Sequence, residues 1–92
     1  MEFEWGEEKN AVNVQKHGVS FEEAVTVFGD ALSDTFDDPD HSAEEIRFIT
    51  IGTSEKGRLL MVAHTDRDNH IRIISARELT RQERRNYEEG NL

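Results

Sequence analysis

Apolar and acidic residues alternate from Met1 to Trp5, the pattern of a short edge strand. From Glu7 to His17 the spacing becomes helical. Glu7 and Glu8 sit in the first turn, where the helix dipole favours negative charge, and Gly18 is placed for a left-handed stop. Ser20 and Glu23 have the spacing of a capping box, and Phe21, Ala24, Val25 and Phe28 recur at i, i+3, i+4 and i+7. That spacing predicts a second helix with one buried stripe, ended by Gly29.

Beyond the helices the period shortens to that of strands. Leu32 to Phe36 is a strand candidate, closed by the Asp37-Asp38-Pro39-Asp40-His41 turn, where proline and aspartates stop both helix and ladder. Glu45 to Gly52 alternates, Ser54 to Gly57 makes a hairpin loop, and Arg58 to Thr65 is a nearly continuous apolar run suited to a central strand covered on both faces. A second hairpin at Asp66 to Asn69 leads into a last strand, His70 to Arg77. Thr80 and Glu83 form another capping box, opening a closing helix through Glu89. The resulting fold class is α+β: two N-terminal helices, an antiparallel sheet of three to four strands and a C-terminal helix. The helices are expected on one face, leaving part of the other open.

Length and composition narrow this picture. Ninety-two residues fit a single domain, 1–92, and 35% hydrophobic content with Trp5, Tyr87 and five Phe supplies enough apolar area for a core. With no cysteine there is neither a disulfide framework nor a thiolate metal site, and nothing resembles a signal peptide or a membrane span, so a cytoplasmic location is expected. Eleven Lys+Arg against 20 Asp+Glu give a net charge of −9, the wrong sign for meeting a polyanion by bulk attraction. The charge is unevenly spread. Residues 1–45 carry two Lys and 13 acids, residues 46–92 nine Lys+Arg and seven acids, so a phosphate-facing surface must come mainly from the second half.

Two basic sets are candidates for chemistry. Helical offsets place Lys9, Asn13, Lys16 and His17 on one polar side of the first helix, readable as a solvated face or as a phosphate clamp beside a titrating histidine. The other set is Arg47, Arg58, Arg72 and Arg77, since arginine suits bidentate phosphate contact and charge stabilisation on a phosphorane. Strict alternation puts Arg72 with Ile74 on one face and Arg77 with Ile71, Ile73 and Ser75 on the other, so both serve one face only if a bulge intervenes. The plainer reading pairs such arginines with acids such as Glu83 or Glu45. No Gly-rich phosphate loop, His-Glu-x-x-His motif or Gly-x-Ser-x-Gly elbow is present, which leaves nucleotide hydrolysis, zinc proteolysis and serine hydrolysis unsupported. His17, His41, His64 and His70 lack ligand spacing, and His41 beside Asp37, Asp38 and Asp40 is explained by the turn, so no metal or cofactor is expected.

The chain resembles the BrnT toxin family over nearly its whole length. Phe3, Trp5, Lys9, Asn13, Lys16, His17, Gly18 and Val19 match its opening, Arg47, Phe48, Ile51, Gly52, Ser54, Gly57 and Arg58 its middle, and Arg72, Ile74, Ser75, Ala76, Arg77, Thr80, Glu83 and Tyr87 its end. The segments KHGVSFEEA and IRIISAR are the most specific. This resemblance implies a small RelE-like ribonuclease domain, a hydrolase that cuts RNA without metal and arrests translation. It also implies a BrnA-type antitoxin partner with a ribbon-helix-helix DNA-binding end, so that DNA is met only through the antitoxin. Carried over by position, Lys16, His17, Arg47, Arg58, Arg72 and Arg77 are the expected catalytic set, with Lys9, Glu83 and Tyr87 behind them. The chain departs from the family at Gly6, where an aspartate is usual, and in its acidity. Its alternative role is a catalytically silent module that binds the antitoxin in operon autoregulation.

Overall fold

The computed structural model describes residues 1–38 and 45–90. Pro39, Asp40 and His41 of the expected acidic turn lie outside the described residues. Strand β1 (Glu2–Glu4) leads into helix α1 (Glu7–His17) and helix α2 (Phe21–Thr26), which tightens into a 3-10 turn at Val27–Gly29. Strands β2 (Asp34–Asp37), β3 (Arg47–Thr53), β4 (Leu59–Arg67) and β5 (His70–Glu78) follow, then helix α3 (Arg81–Glu88). The sheet order is β1-β5-β4-β3-β2. Strands β2 to β5 are the antiparallel sheet expected, and β1, the edge strand read at Met1 to Trp5, joins the edge of β5 in parallel.

The helix boundaries follow the local chemistry. Gly18 takes the left-handed conformation at φ 67° and donates its N–H to the Val14 carbonyl, ending α1 where the sequence placed a stop. Ser20 caps α2 by accepting from the Glu23 N–H, but the Glu23 side chain does not reach back, because it is taken by Arg58 and Ser54. The tightening after Thr26 also changes the buried stripe. Phe21, Ala24 and Val27 are fully buried, whereas Val25 and Phe28, expected in the stripe, are half-buried. Spacing of three rather than 3.6 favours that set.

Helices α1 and α2 cover one face of the sheet, against Leu60, Val62, Ile71, Ile73 and Ala76. Gly52 lets β3 approach the 3-10 turn: a Cβ there would meet the Ser33 Cβ at 2.9 Å and Val27 Cγ1 at 3.0 Å. Beneath these helices runs a chain of hydrogen bonds, Thr35–Thr50–His64–Asp66, with Thr50 Oγ1 to His64 Nε2 and His64 Nδ1 to Asp66 Oδ1 both at 2.8 Å. His64 is 1% exposed and packs against the Phe28 and Phe48 rings.

Asn10 and Asn13 are the buried residues of α1, whereas Val12 and Val14 are 47% and 46% exposed, the reverse of an ordinary amphipathic helix. Asn13, expected on a polar stripe, is instead a structural clamp. Its amide donates to the Val19 and Ala76 carbonyls at 2.8 and 2.7 Å and accepts from the Ala76 N–H at 3.1 Å. Because β1 pairs only with His70 to Arg72, the edge of β5 beyond it is open, and Asn13 satisfies that edge in place of a strand. Asn10 fixes the following turn, accepting from the Phe21 N–H at 2.8 Å and donating to Glu22.

Between β4 and β5 the register slips, with Ala63 opposite Ser75 but His64 opposite Ile73, so Ile74 is an extra residue. The slip turns Arg72, Ser75 and Arg77 to one face and Ile71, Ile73 and Ala76 to the other. Arg77 and Ile71 are therefore not on a common face, as strict alternation would require, and the two arginines share the face opposite α1 and α2.

Candidate active site on the open sheet face

Cross-strand register organises this second face into rows. Asp34, Ile51, Met61 and Arg77 form one, Phe36, Ile49, Ala63 and Ser75 the next, and Arg47, Thr65 and Arg72 a third. Helix α3 bridges the first row, with Glu83 on Arg77 at one end and Tyr87 Oη donating to Asp34 Oδ2 at 2.9 Å at the other. All three helices were expected on one face; α3 instead covers part of the opposite one, and Ile51 beneath it is fully buried.

The uncovered part holds two depressions that share Ile74 and Ser75 as floor. One, about 320 Å³, is walled by Lys9, Val12, Lys16 and His17 of α1. The other, about 230 Å³, is bounded by Arg47, Ile49, Met61, Arg77 and Asp38. Together they form a groove with cations on both sides. The bulge makes it continuous, since it exposes Ile74 and Ser75 to both depressions. Ile49, Met61 and Ser75, absent from the expected set, belong to this floor, and the adjacent isoleucines 73 and 74 are the sequence signal for the change of phase.

Arg77 donates to Glu83 through Nη1 at 2.7 Å and Nη2 at 2.9 Å, a bidentate pair. The Arg77 guanidinium, with the Thr80 N–H, brings the Glu83 carboxyl down to about 2. Glu83 thus completes the capping box of α3 and fixes the guanidinium at the groove. Lys9, Lys16 and His17 are exposed and carry no hydrogen bond or ion pair among the described residues. Arg72 lies a row away from Ser75, half-exposed, with Glu4 at 3.8 Å.

Two expected residues are placed elsewhere. Arg58 is bound bidentately to the buried Glu23, donates to the Gly18 carbonyl at 2.9 Å, and lies 3.5 Å from Glu78. The Arg58 hydrogen bonds, then Ser54, hold the Glu23 carboxyl below its usual range. This cluster ties the β3–β4 loop to α2 and does not line the groove. Tyr87 points to Asp34 on the β2 side, and its hydroxyl is pushed up to about 12 by burial and by that carboxylate. Among the described residues no group of three or more His, Cys, Asp or Glu could hold a metal ion, and no helix is long and apolar enough to cross a membrane.

The sequence profile described as the ribonuclease toxin, BrnT, of type II toxin–antitoxin system matches residues 5–83. The chain belongs to the BrnT family. It is accordingly a ribonuclease toxin whose partner is an antitoxin. The BrnT-type fold is also evident in three dimensions. The crystal structure of the Brucella abortus ribonuclease toxin BrnT superposes with a TM-score of 0.69 at 21% identity, over 88% of this chain and 99% of that one. No curated protein matches the chain.

Proposed function

We propose that this BrnT-family chain cuts RNA in the open-face groove by attack of a ribose 2′-hydroxyl on the adjacent phosphorus, which breaks the bond to the 5′-oxygen and leaves a 2′,3′-cyclic phosphate and a protonated 5′-hydroxyl, and so arrests translation. One observation carries the reading: the Ile74 bulge brings Arg77 and Ser75 into one depression with Arg47 and joins it to the one walled by Lys9, Lys16 and His17. Such a reaction needs a proton acceptor, a proton donor and positive charge on the phosphorane, and the groove offers all three without a metal. His17 supplies an imidazole for proton transfer, Lys16 and Lys9 hold phosphates, and Arg47 and Arg77 stabilise the developing charge. Glu83 acts through Arg77 as a positioning residue. The antitoxin is of the BrnA type, covers the groove, and provides the DNA-binding end of the pair.

The silent-module reading has one observation behind it: Glu83 already occupies both terminal nitrogens of Arg77. Purified protein incubated with RNA in EDTA at low salt separates the two. Cleavage that disappears in His17→Ala and Lys16→Ala, both exposed positions whose truncation leaves the fold intact, supports the groove. Undiminished RNA with the wild-type protein contradicts it.

A further inference from the structure

Thr65 is 1% exposed, and its hydroxyl has no hydrogen-bond partner among the described residues. Nearly every buried hydroxyl in a folded protein is paired, because leaving one unpaired is costly. Valine has the same shape and strand preference without that cost. Threonine at this position therefore points to a partner that the folded chain does not itself supply.

The surroundings identify its chemistry. Thr65 lies on the open face, opposite Arg47 on β3 and Arg72 on β5. Glu45 feels Arg67, Arg47 and Arg72 together, and Arg67 is hydrogen-bonded to Glu45, so three guanidiniums meet the carboxylates of Glu45 and Glu4 at this end of the sheet. Arg72 is the loosely held member. Its contact to Glu4 is 3.8 Å, against 2.7 Å for Arg77 to Glu83, and its side chain is 39% exposed.

Gly6 stands next to the Arg72 guanidinium. It caps α1 in an extended conformation, φ −86° and ψ 134°, with no side-chain cap bond. A Cβ built there would meet only the Arg72 Nη2, at 3.9 Å. Any residue fits this backbone, so the glycine is not demanded by geometry, and it adds no side chain beside Arg72.

We propose that Thr65, Arg72 and Arg47 form a phosphate subsite, one row from Ser75, that holds an RNA phosphate next to the one being cut. The phosphate accepts from Thr65 Oγ1, and both guanidiniums flank it. This assignment rests on the groove reading, and it makes Arg72 and Thr65 binding residues, with Arg47 placed between the two phosphates and the chemistry carried by the α1 wall, Arg77 and Arg47.

The test uses the full chain, a short RNA made uncleavable by a 2′-deoxy sugar at the cut position, and inorganic phosphate as a separate probe. Thr65→Val is expected to weaken RNA binding roughly tenfold, the factor carried by a hydrogen bond to a charged group, while the melting temperature holds or rises. Gly6→Asp is expected to do the same, since an aspartate there caps α1 and occupies Arg72. Inorganic phosphate should shift the Thr65 amide and Arg72 Nε–H resonances of the wild type and leave those of Thr65→Val unmoved. A phosphate response without RNA binding would keep the anion site and remove RNA as its ligand, overturning the nuclease reading with it. Wild-type RNA binding that Thr65→Val leaves unchanged, with a lower melting temperature, would overturn the subsite and leave the nuclease reading standing.

Discussion

Arg58 and Arg77 are each bound bidentately to a glutamate, yet the consequences of losing them differ. Glu23 beneath Arg58 is 2% exposed, so Arg58→Ala leaves a buried carboxylate unpaired. It should cost about 2–4 kcal/mol, somewhat below the usual figure because Arg58 itself is partly exposed. Urea denaturation checks this, and an unchanged midpoint would show that the cluster is slack. Glu83 is 31% exposed at its side chain, so Arg77→Ala is expected to keep the fold and abolish cleavage. If circular dichroism shows Arg77→Ala unfolded, the pair is structural. Acid sensitivity is also set by single residues. Burial lowers the pKa of His64 from 6.5, although Asp66 opposes the shift. The protonated form is thus disfavoured in the folded state, and this contribution to stability is complete above pH 6.5 and lost as pH falls through the lower folded pKa. The Glu83 term lies elsewhere, complete above 4.5 and lost as pH approaches about 2. Melting temperature should therefore decline as pH falls below about 6.5 in the wild type and flatten there in His64→Gln; equal slopes would contradict the assignment.

Among the elements, the long helical pattern from Glu7 to His17 and both strand hairpins were legible because caps, turn residues and periodicity agreed. What the sequence concealed were places where tertiary contact overrides the local rule. Asn13 has the spacing of a polar stripe, and only the missing strand beside β5 makes it a core residue. Helical α2 gives way to a 3-10 turn, so Val27 takes the buried place expected for Val25 and Phe28. Arg72 and Arg77 look like residues of opposite faces until the extra Ile74 is counted, and that residue decides whether a continuous groove exists. The Asn13 clamp gives the clearest expectation at this scale. Asn13→Ala removes three hydrogen bonds and exposes the β5 edge, for a loss of about 3 kcal/mol and of hydrogen-exchange protection at the Ala76 amide. Retained protection would mean that solvent replaces the clamp.

Across the whole molecule, the fold divides the charge that composition reports as one number. The net charge of −9 does not describe the groove, which Lys9, Lys16, Arg47 and Arg77 line. The exposed acids Glu22 and Asp37, with the half-buried Asp38, suit a cationic antitoxin segment, whereas Glu23 is sealed under Arg58. Association with the antitoxin should slow as salt rises from roughly 50 to 500 mM, while the Debye length falls from about 14 to 4 Å. A salt-independent association rate would remove the steering argument. The chemistry of the groove is read from the end group left on cut RNA. Purified protein in EDTA is predicted to leave 2′,3′-cyclic phosphate ends, and to leave intact an RNA carrying a single 2′-deoxy sugar at the cut position. Cleavage of that deoxy substrate, or cleavage that stops when EDTA is added, would contradict the account.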